Sequence, residues 1–170
     1  VGLVLQDPYT SLDPVWPVWR IVTEPLAVSR KTGKHERRAK AAELLNSVGL
    51  SDSDLDLHPE SFSGGQRPRL ALARALSSGP EILFLDEPVS SLDVSVQAQI
   101  IELLKLIRKE KGISFFVISH DLPTVGTLCD RIYVLYQGRI VEEGPAREIL
   151  ENPAHPYTAG LIQSRPLAEK

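Results

Sequence analysis

An apolar run, an amphipathic stretch and a second apolar run follow one another between residues 82 and 119, and this order limits the fold. Ile82-Leu83-Phe84-Leu85 is short and has no polar break, which reads as a strand buried on both faces. Across residues 94–110, Val96, Ile100, Leu103, Leu104 and Ile107 form one helical stripe, closed by Lys111-Gly112. Ser114–Ser119 reads as a second fully buried strand. Strand, crossover helix and strand predict an α/β fold with a mainly parallel sheet.

The rest of the chain fills in around that unit. Val1-Gly2-Leu3-Val4-Leu5 reads as another buried strand, ended by Gln6-Asp7-Pro8. A loop with Pro8, Pro14 and Pro17 follows, then a short helix over about 18–28. A clearer helix over 34–48 carries Ala41, Leu44, Leu45 and Val48 and stops at Gly49. Residues 51–59 read as a polar loop or short turn. A third helix from about Gly64 to Ser78 carries Leu70, Leu72, Ala73 and Leu76. The stretch 15–80 holds helices and no strand, so it reads as a subdomain inserted between strands. A short helix over 122–128, a hairpin turning at Gln137-Gly138 and two helical pieces near 146–151 and 156–164 complete the chain.

Composition excludes several classes. Hydrophobic residues at 42% and charged residues at 24% are those of a soluble globular domain. Nineteen Lys+Arg against 22 Asp+Glu leave a net charge of −3, without the basic excess of a nucleic-acid binder. Cys129 is the single cysteine, which excludes an intrachain disulfide and fits a reducing compartment. No apolar run reaches the roughly 18 residues of a membrane-spanning helix. The chain has no methionine and opens inside an apolar run, so it is expected to be a piece of a longer protein.

The chemistry gathers at the ends of the apolar runs. Ile82–Leu85 delivers Asp86 and Glu87 to the end of a strand where parallel sheets bind ligands. Adjacent carboxylates repel, and metal-assisted phosphoryl transfer uses such a pair: one to hold Mg²⁺, one to polarise water. A solvated acidic strand end explains the pair equally well. Ser114–Ser119 likewise delivers His120, an imidazole able to meet a phosphate. Ser61-Phe62-Ser63-Gly64-Gly65-Gln66 opens the third helix, with Ser63 as N-cap, two glycines baring backbone amides and Gln66 as half of a capping box. Helix capping alone also accounts for that stretch.

Taken in order, Ser63-Gly64-Gly65-Gln66, Ile82–Pro88, Ser91-Leu92-Asp93 and His120 resemble the signature motif, Walker B strand, D-loop and switch histidine of the ATP-binding cassette (ABC) ATPases. Gln6 resembles the Q-loop glutamine. Residues 6–14 and the tail Asn152-Pro153-Ala154-His155-Pro156-Tyr157-Thr158 are similar to importers of oligopeptides, dipeptides and related solutes, a look that nickel and glutathione importers share.

The resemblance implies a partial RecA-like P-loop NTPase core with an inserted α-helical subdomain. Its parts are a strand and Q-loop at 1–14, the helical subdomain at 15–80, the core with Walker B, D-loop and switch histidine at 81–145, and an importer-type extension at 146–170. It implies ATP and Mg²⁺, with Asp86 ordering the metal and Gln6 as a further ligand. Glu87 is implied as general base and His120 as stabiliser of the γ-phosphate. Ser63, Gly64, Gly65 and Gln66 would grip ATP held by the opposite subunit, and Asp93 would couple the two sites. The implied partners are a second ATP-binding subunit, permease subunits received by the loop Asp7–Trp19, and indirectly an extracytoplasmic solute-binding protein; nucleic acid is not among them. The implied location is peripheral, on the cytoplasmic face of the cell membrane.

Two departures stand out. The phosphate-cradling G-x-x-x-x-G-K-[ST] is absent: Gly33-Lys34 is the only Gly-Lys pair, flanked by Val28 and His35 in the wrong places. The 170 residues alone are therefore expected to bind ATP weakly and to be inactive. Pro68 stands where the family usually has another residue, often Gln; with Ser63 as cap it is the fifth helical residue and predicts a strained first turn and a weakened grip. The alternatives are a non-catalytic fragment lacking the phosphate loop and a soluble ABC ATPase not tied to transport.

Overall fold

A computed structural model describes residues 1–7, 11–29 and 33–163. They fall into two units, Val1–Phe116 and Val117–Lys170, with the boundary inside a strand.

In the first unit, β1 (Gly2–Val4) runs parallel to β2 (Ile82–Asp86), with Gly2 level with Leu83 and Val4 with Leu85. The sheet order is β1-β2-β3, where β3 is Ser114–Ile118. Between β2 and β3 lies α5 (Val94–Lys111), the crossover helix expected from its stripe. Gly112 ends it at φ 63°, a left-handed turn that glycine adopts without strain.

The helical segment comprises α1 (Val18–Val22), α2 (Glu24–Ser29), α3 (Lys34–Ser47) and α4 (Gln66–Leu76), with 3₁₀ turns at Asp52–Asp54 and Pro59–Ser61. The single short helix expected over 18–28 is thus two helices. Val18, Ile21, Val22, Leu44, Leu45, Val48 and Leu70 are buried where α1, α3 and α4 pack together. α4 also lies against β1, and the approach is close. A β-carbon at Gly2 would stand 2.6 Å from the Ala75 carbonyl oxygen, so only glycine fits there.

One expectation fails. β2 and β3 are not buried on both faces. Leu83 and Leu85 are buried, whereas Ile82 on the other side of the strand is exposed. Leu3 and Phe116 on the flanking strands are 57% and 53% exposed. The Phe84 and Phe116 rings lie 4.9 Å apart on that open side. The strands have the two-sided apolar composition of a doubly covered sheet, but among the described residues only one side of β1 and β2 is covered.

In the second unit, α6 (Leu122–Leu128) precedes the hairpin β4 (Arg131–Tyr136) and β5 (Arg139–Pro145). Gln137 and Gly138 turn it at φ 48° and 76°, the left-handed pair that a two-residue hairpin loop needs. α7 (Ala146–Glu151) and α8 (Pro156–Gln163) follow. Leu122, Val125, Ile132, Val134, Ala146 and Ile149 form the core.

Candidate functional site

The sheet places three of the expected residues at one end. Asp86 closes β2, and strand alternation turns it to the same side as Phe84. Glu87 then leaves the strand at φ 47°, in the left-handed region that a side chain with a β-carbon rarely occupies. Its carbonyl accepts from the Ser90 amide at 3.3 Å and the Ser90 hydroxyl at 3.2 Å, which closes the turn. Gln6 lies two residues beyond Val4, which is level with Leu85. The amide and both carboxylates therefore leave the C-terminal ends of neighbouring parallel strands, the usual ligand edge of such sheets.

Among the described residues no three His, Cys, Asp or Glu side chains converge as a metal cluster. Asp86 and Gln6 are hard oxygen donors. Such a pair suits Mg²⁺, which takes one or two carboxylates and completes its shell with water and phosphate oxygens.

A second group lines a cleft of about 550 Å³: Ser63, Gly64, Gly65, Gln66, Asp93 and their neighbours. Asp86 and Glu87 are not in its wall. Gly65 faces α5 closely, since a β-carbon there would meet Val96 Cγ1 at 3.0 Å. Asp93 is the N-cap of α5: its Oδ1 accepts from the Ser95 hydroxyl at 2.7 Å and the Val96 amide at 3.0 Å. These bonds, Ser95 first, hold the Asp93 carboxyl below its ordinary range.

The start of α4 differs in detail from expectation. The Gln66 half of the capping box is present, its Oε1 accepting from the Ser63 amide at 2.9 Å. The Ser63 side chain is not a cap; the cap position is Gly65, which has no side chain to offer. The chain is nevertheless coiled earlier, because the Ser63 carbonyl accepts from the Gln66 and Arg67 amides at 3.0 and 3.2 Å. Pro68 explains the late start of regular bonding: it has no N–H to give to the Gly64 carbonyl. It is the third residue of the regular helix, where a missing donor costs no intrahelical bond, and its ring is buried. The predicted strain is therefore largely avoided by delaying the helix.

His120 follows β3, is exposed, and belongs to the second unit. The neighbouring Asp121 carboxylate accepts from the Thr124 hydroxyl at 2.5 Å.

A further hollow of about 490 Å³ lies along the segment after Gln6, lined by Ser11, Asp13, Trp16, Glu24 and Arg74 among others. Arg74 donates to the Ser11 carbonyl at 2.7 Å and pairs with Glu24. Of the loop Asp7–Trp19, residues 8–10 lie outside the described residues, and Trp19 is buried in α1 instead of standing in a loop.

The residues that brace the second cleft are Arg69, Gly49 and Gln99, and of these Gln99 carried no signal in the sequence. Gly49 was legible only as a helix stop, and Arg69 as positive charge near the opening of α4 that a solvated face explains equally well. Sequence reading also missed Glu142, whose carboxylate accepts from the Ala154 and His155 amides at 2.7 and 3.0 Å and so anchors the tail motif.

Comparison with known proteins gives two family matches: ABC transporter over residues 1–90, and oligopeptide/dipeptide transporter, C-terminal region, over residues 141–170. The chain is 49% identical to a probable D,D-dipeptide transport ATP-binding protein of Escherichia coli, over 99% of this chain and 54% of that protein. It is 47% identical to an oligopeptide transport ATP-binding protein of Bacillus subtilis, over 98% of this chain and 55% of that protein. It spans about half the length of these relatives. A solved dimeric ATP-binding cassette in a post-hydrolysis state, bound to ADP and Pi, matches with a TM-score of 0.72 at 32% identity, over 86% of this chain and 62% of that one.

Proposed function

The chain belongs to the ABC transporter family, and from that premise we propose that it is the signature-bearing part of the ATPase subunit of an importer for oligopeptides, dipeptides or related solutes. The observation that carries this reading is the pairing of the two family matches, one over the catalytic segment and one over the tail. The relatives named dipeptide and oligopeptide transport ATP-binding proteins support it along nearly the whole chain.

In the proposed reaction, water attacks the γ-phosphorus of ATP. An O–P bond forms, the bond to the β,γ-bridging oxygen breaks, and ADP and phosphate leave. Glu87 takes the proton of the attacking water, from a backbone already turned away from the strand. Asp86 and Gln6 would hold Mg²⁺, which when bound would supply positive charge against the phosphate oxygens. His120 steadies the γ-phosphate. The Gly64 and Gly65 amides at the opening of α4 suit a phosphate anion, the Ser63 and Gln66 amides being bonded within the turn. That cleft shares no wall residue with the Asp86–Glu87 edge, which favours a γ-phosphate held by a second ATP-binding subunit. Asp93 stands in the same cleft and would couple the paired sites.

Permease subunits dock along the segment after Gln6, and a solute-binding protein acts through them. Among the described residues no helix is long and apolar enough to cross a membrane. The proposed seat is peripheral, on the cytoplasmic face.

The test begins with the coding sequence upstream of the Val1 codon, where an open frame encoding G-x-x-x-x-G-K-[ST] is expected. The complete gene product should then hydrolyse ATP only with Mg²⁺, and Glu87→Gln should lower kcat by about 10²–10⁴-fold. A stop codon immediately upstream, or hydrolysis indifferent to Glu87→Gln, overturns the reading.

A further inference from the structure

We propose that Arg69 is a positioning residue for ATP hydrolysis: its guanidinium ties the Ser63–Gln66 loop to the helix that Asp93 caps, so that both walls of one cleft meet the same phosphate in fixed register. The proposal rests on the ATPase reading above.

Arg69 is the fourth residue of α4 and lines the cleft together with Gly49, Gln99 and the loop itself. Its Nη1 donates to the Val48 carbonyl at 2.8 Å, at the C-terminal end of α3. Its Nη2 donates to Gln99 Oε1 at 3.3 Å, on α5. One planar group thus joins three helices. Space for it is made by Gly49, which sits at φ 73° and whose β-carbon would stand 2.8 Å from Nη1. The clearance is what fits the guanidinium; the positive φ belongs to the end of α3, where the Leu50 amide donates to the Leu45 carbonyl at 2.9 Å.

The two bonds do different work. The bond to Val48 places a cation at the C-terminal end of a helix, which stabilises any such helix. The bond to Gln99 spans the cleft walls: Gln99 lies six residues from Asp93, and Val96 between them packs on Gly65. Loss of the Gln99 bond leaves the Gly65–Val96 packing to set the register of the loop against Asp93. An ammonium cannot replace the fork, because it offers its donors from one point and reaches two acceptors on different helices poorly.

The experiment uses the complete gene product carrying Arg69→Lys, Gln99→Ala or both, with kcat, KM for ATP and thermal unfolding measured for each. Each single variant should lower kcat about tenfold, as small misplacements at a reacting centre do, while KM for ATP moves less than twofold. The double variant should be no slower than the slower single, because both break one tie. Gln99→Ala is decisive if Arg69→Lys unfolds, since it leaves the Val48 bond in place. An active wild type whose Gln99→Ala variant keeps the wild-type kcat, or whose single effects multiply, overturns the positioning role alone. A wild type without ATPase activity overturns the ATPase reading, and the positioning role with it.

Discussion

Glu87 combines a side chain suited to proton transfer with a backbone conformation that disfavours it. At φ 47° its β-carbon crowds the following carbonyl, at a cost of about 1–2 kcal/mol. Such strain persists where the surroundings impose it, and it accumulates at functional sites. Replacement by glycine is therefore expected to separate stability from activity. Glu87→Gly should raise the free energy of unfolding by about 0.5–1 kcal/mol in chemical denaturation while abolishing ATP hydrolysis. An unchanged or lowered stability would show that the turn does not strain the residue. The carboxylate was legible in the sequence, because an acidic pair after an apolar run is a local pattern. The positive φ was not, since nothing about a glutamate advertises it. Ser63 taught the converse: its residue type promised a cap, but the amide missing at Pro68 decided where regular bonding begins.

At the scale of elements, periodicity and turn residues located nearly every piece, including the hairpin at Gln137-Gly138, because those signals are local. Contacts between elements carry no such signature. The tail motif was visible as a string, yet its anchor is Glu142 in β5, more than ten residues earlier. The Thr158 hydroxyl acts on that carboxylate first, though its Oγ1 falls outside strict hydrogen-bond geometry. The Ala154 and His155 amides add to it, and together these groups hold Glu142 below the ordinary carboxylate range. A depressed carboxylate stabilises the fold above its unfolded pKa, near 4.5, and that stabilisation is lost as pH falls through the folded value. Amide exchange at Ala154 and His155, corrected for intrinsic rates, should therefore quicken as pH falls below about 4.5. In Glu142→Gln, exchange should already be about tenfold faster at pH 7 and lose that pH dependence. Slow exchange in the variant would show that another contact holds the tail.

For the whole molecule, the open side of the first unit's sheet sets the behaviour of these 170 residues in isolation. Leu3, Ile82 and Phe116 expose apolar surface beside Phe84, and parallel strands of this composition are stable when both faces are covered. Sequence reading foresaw two-sided strands from their unbroken apolar runs. The missing phosphate loop also implied an exposed sheet edge and apolar face in these 170 residues alone, but not which residues form it, because a strand's composition records what it packs against without naming it. An apolar face of this kind is expected to associate in water. The isolated chain should sediment as oligomers at micromolar concentration, and Leu3→Lys with Phe116→Lys should shift it towards monomer. Neither substitution touches Leu83 or Leu85, which pack on the covered side, so helical content by circular dichroism should be retained. A wild-type chain that sediments as a monomer and melts in one sharp transition would mean that the open face carries no driving force for association. If the charged pair also unfolds the chain, Phe116→Ser alone still tests the idea, because it removes the larger ring from the open side and introduces no charge. Oligomers that dissolve with either change would locate the driving force in this face, and not in the exposed Tyr133, Leu135 and Ile140 of the second unit's hairpin.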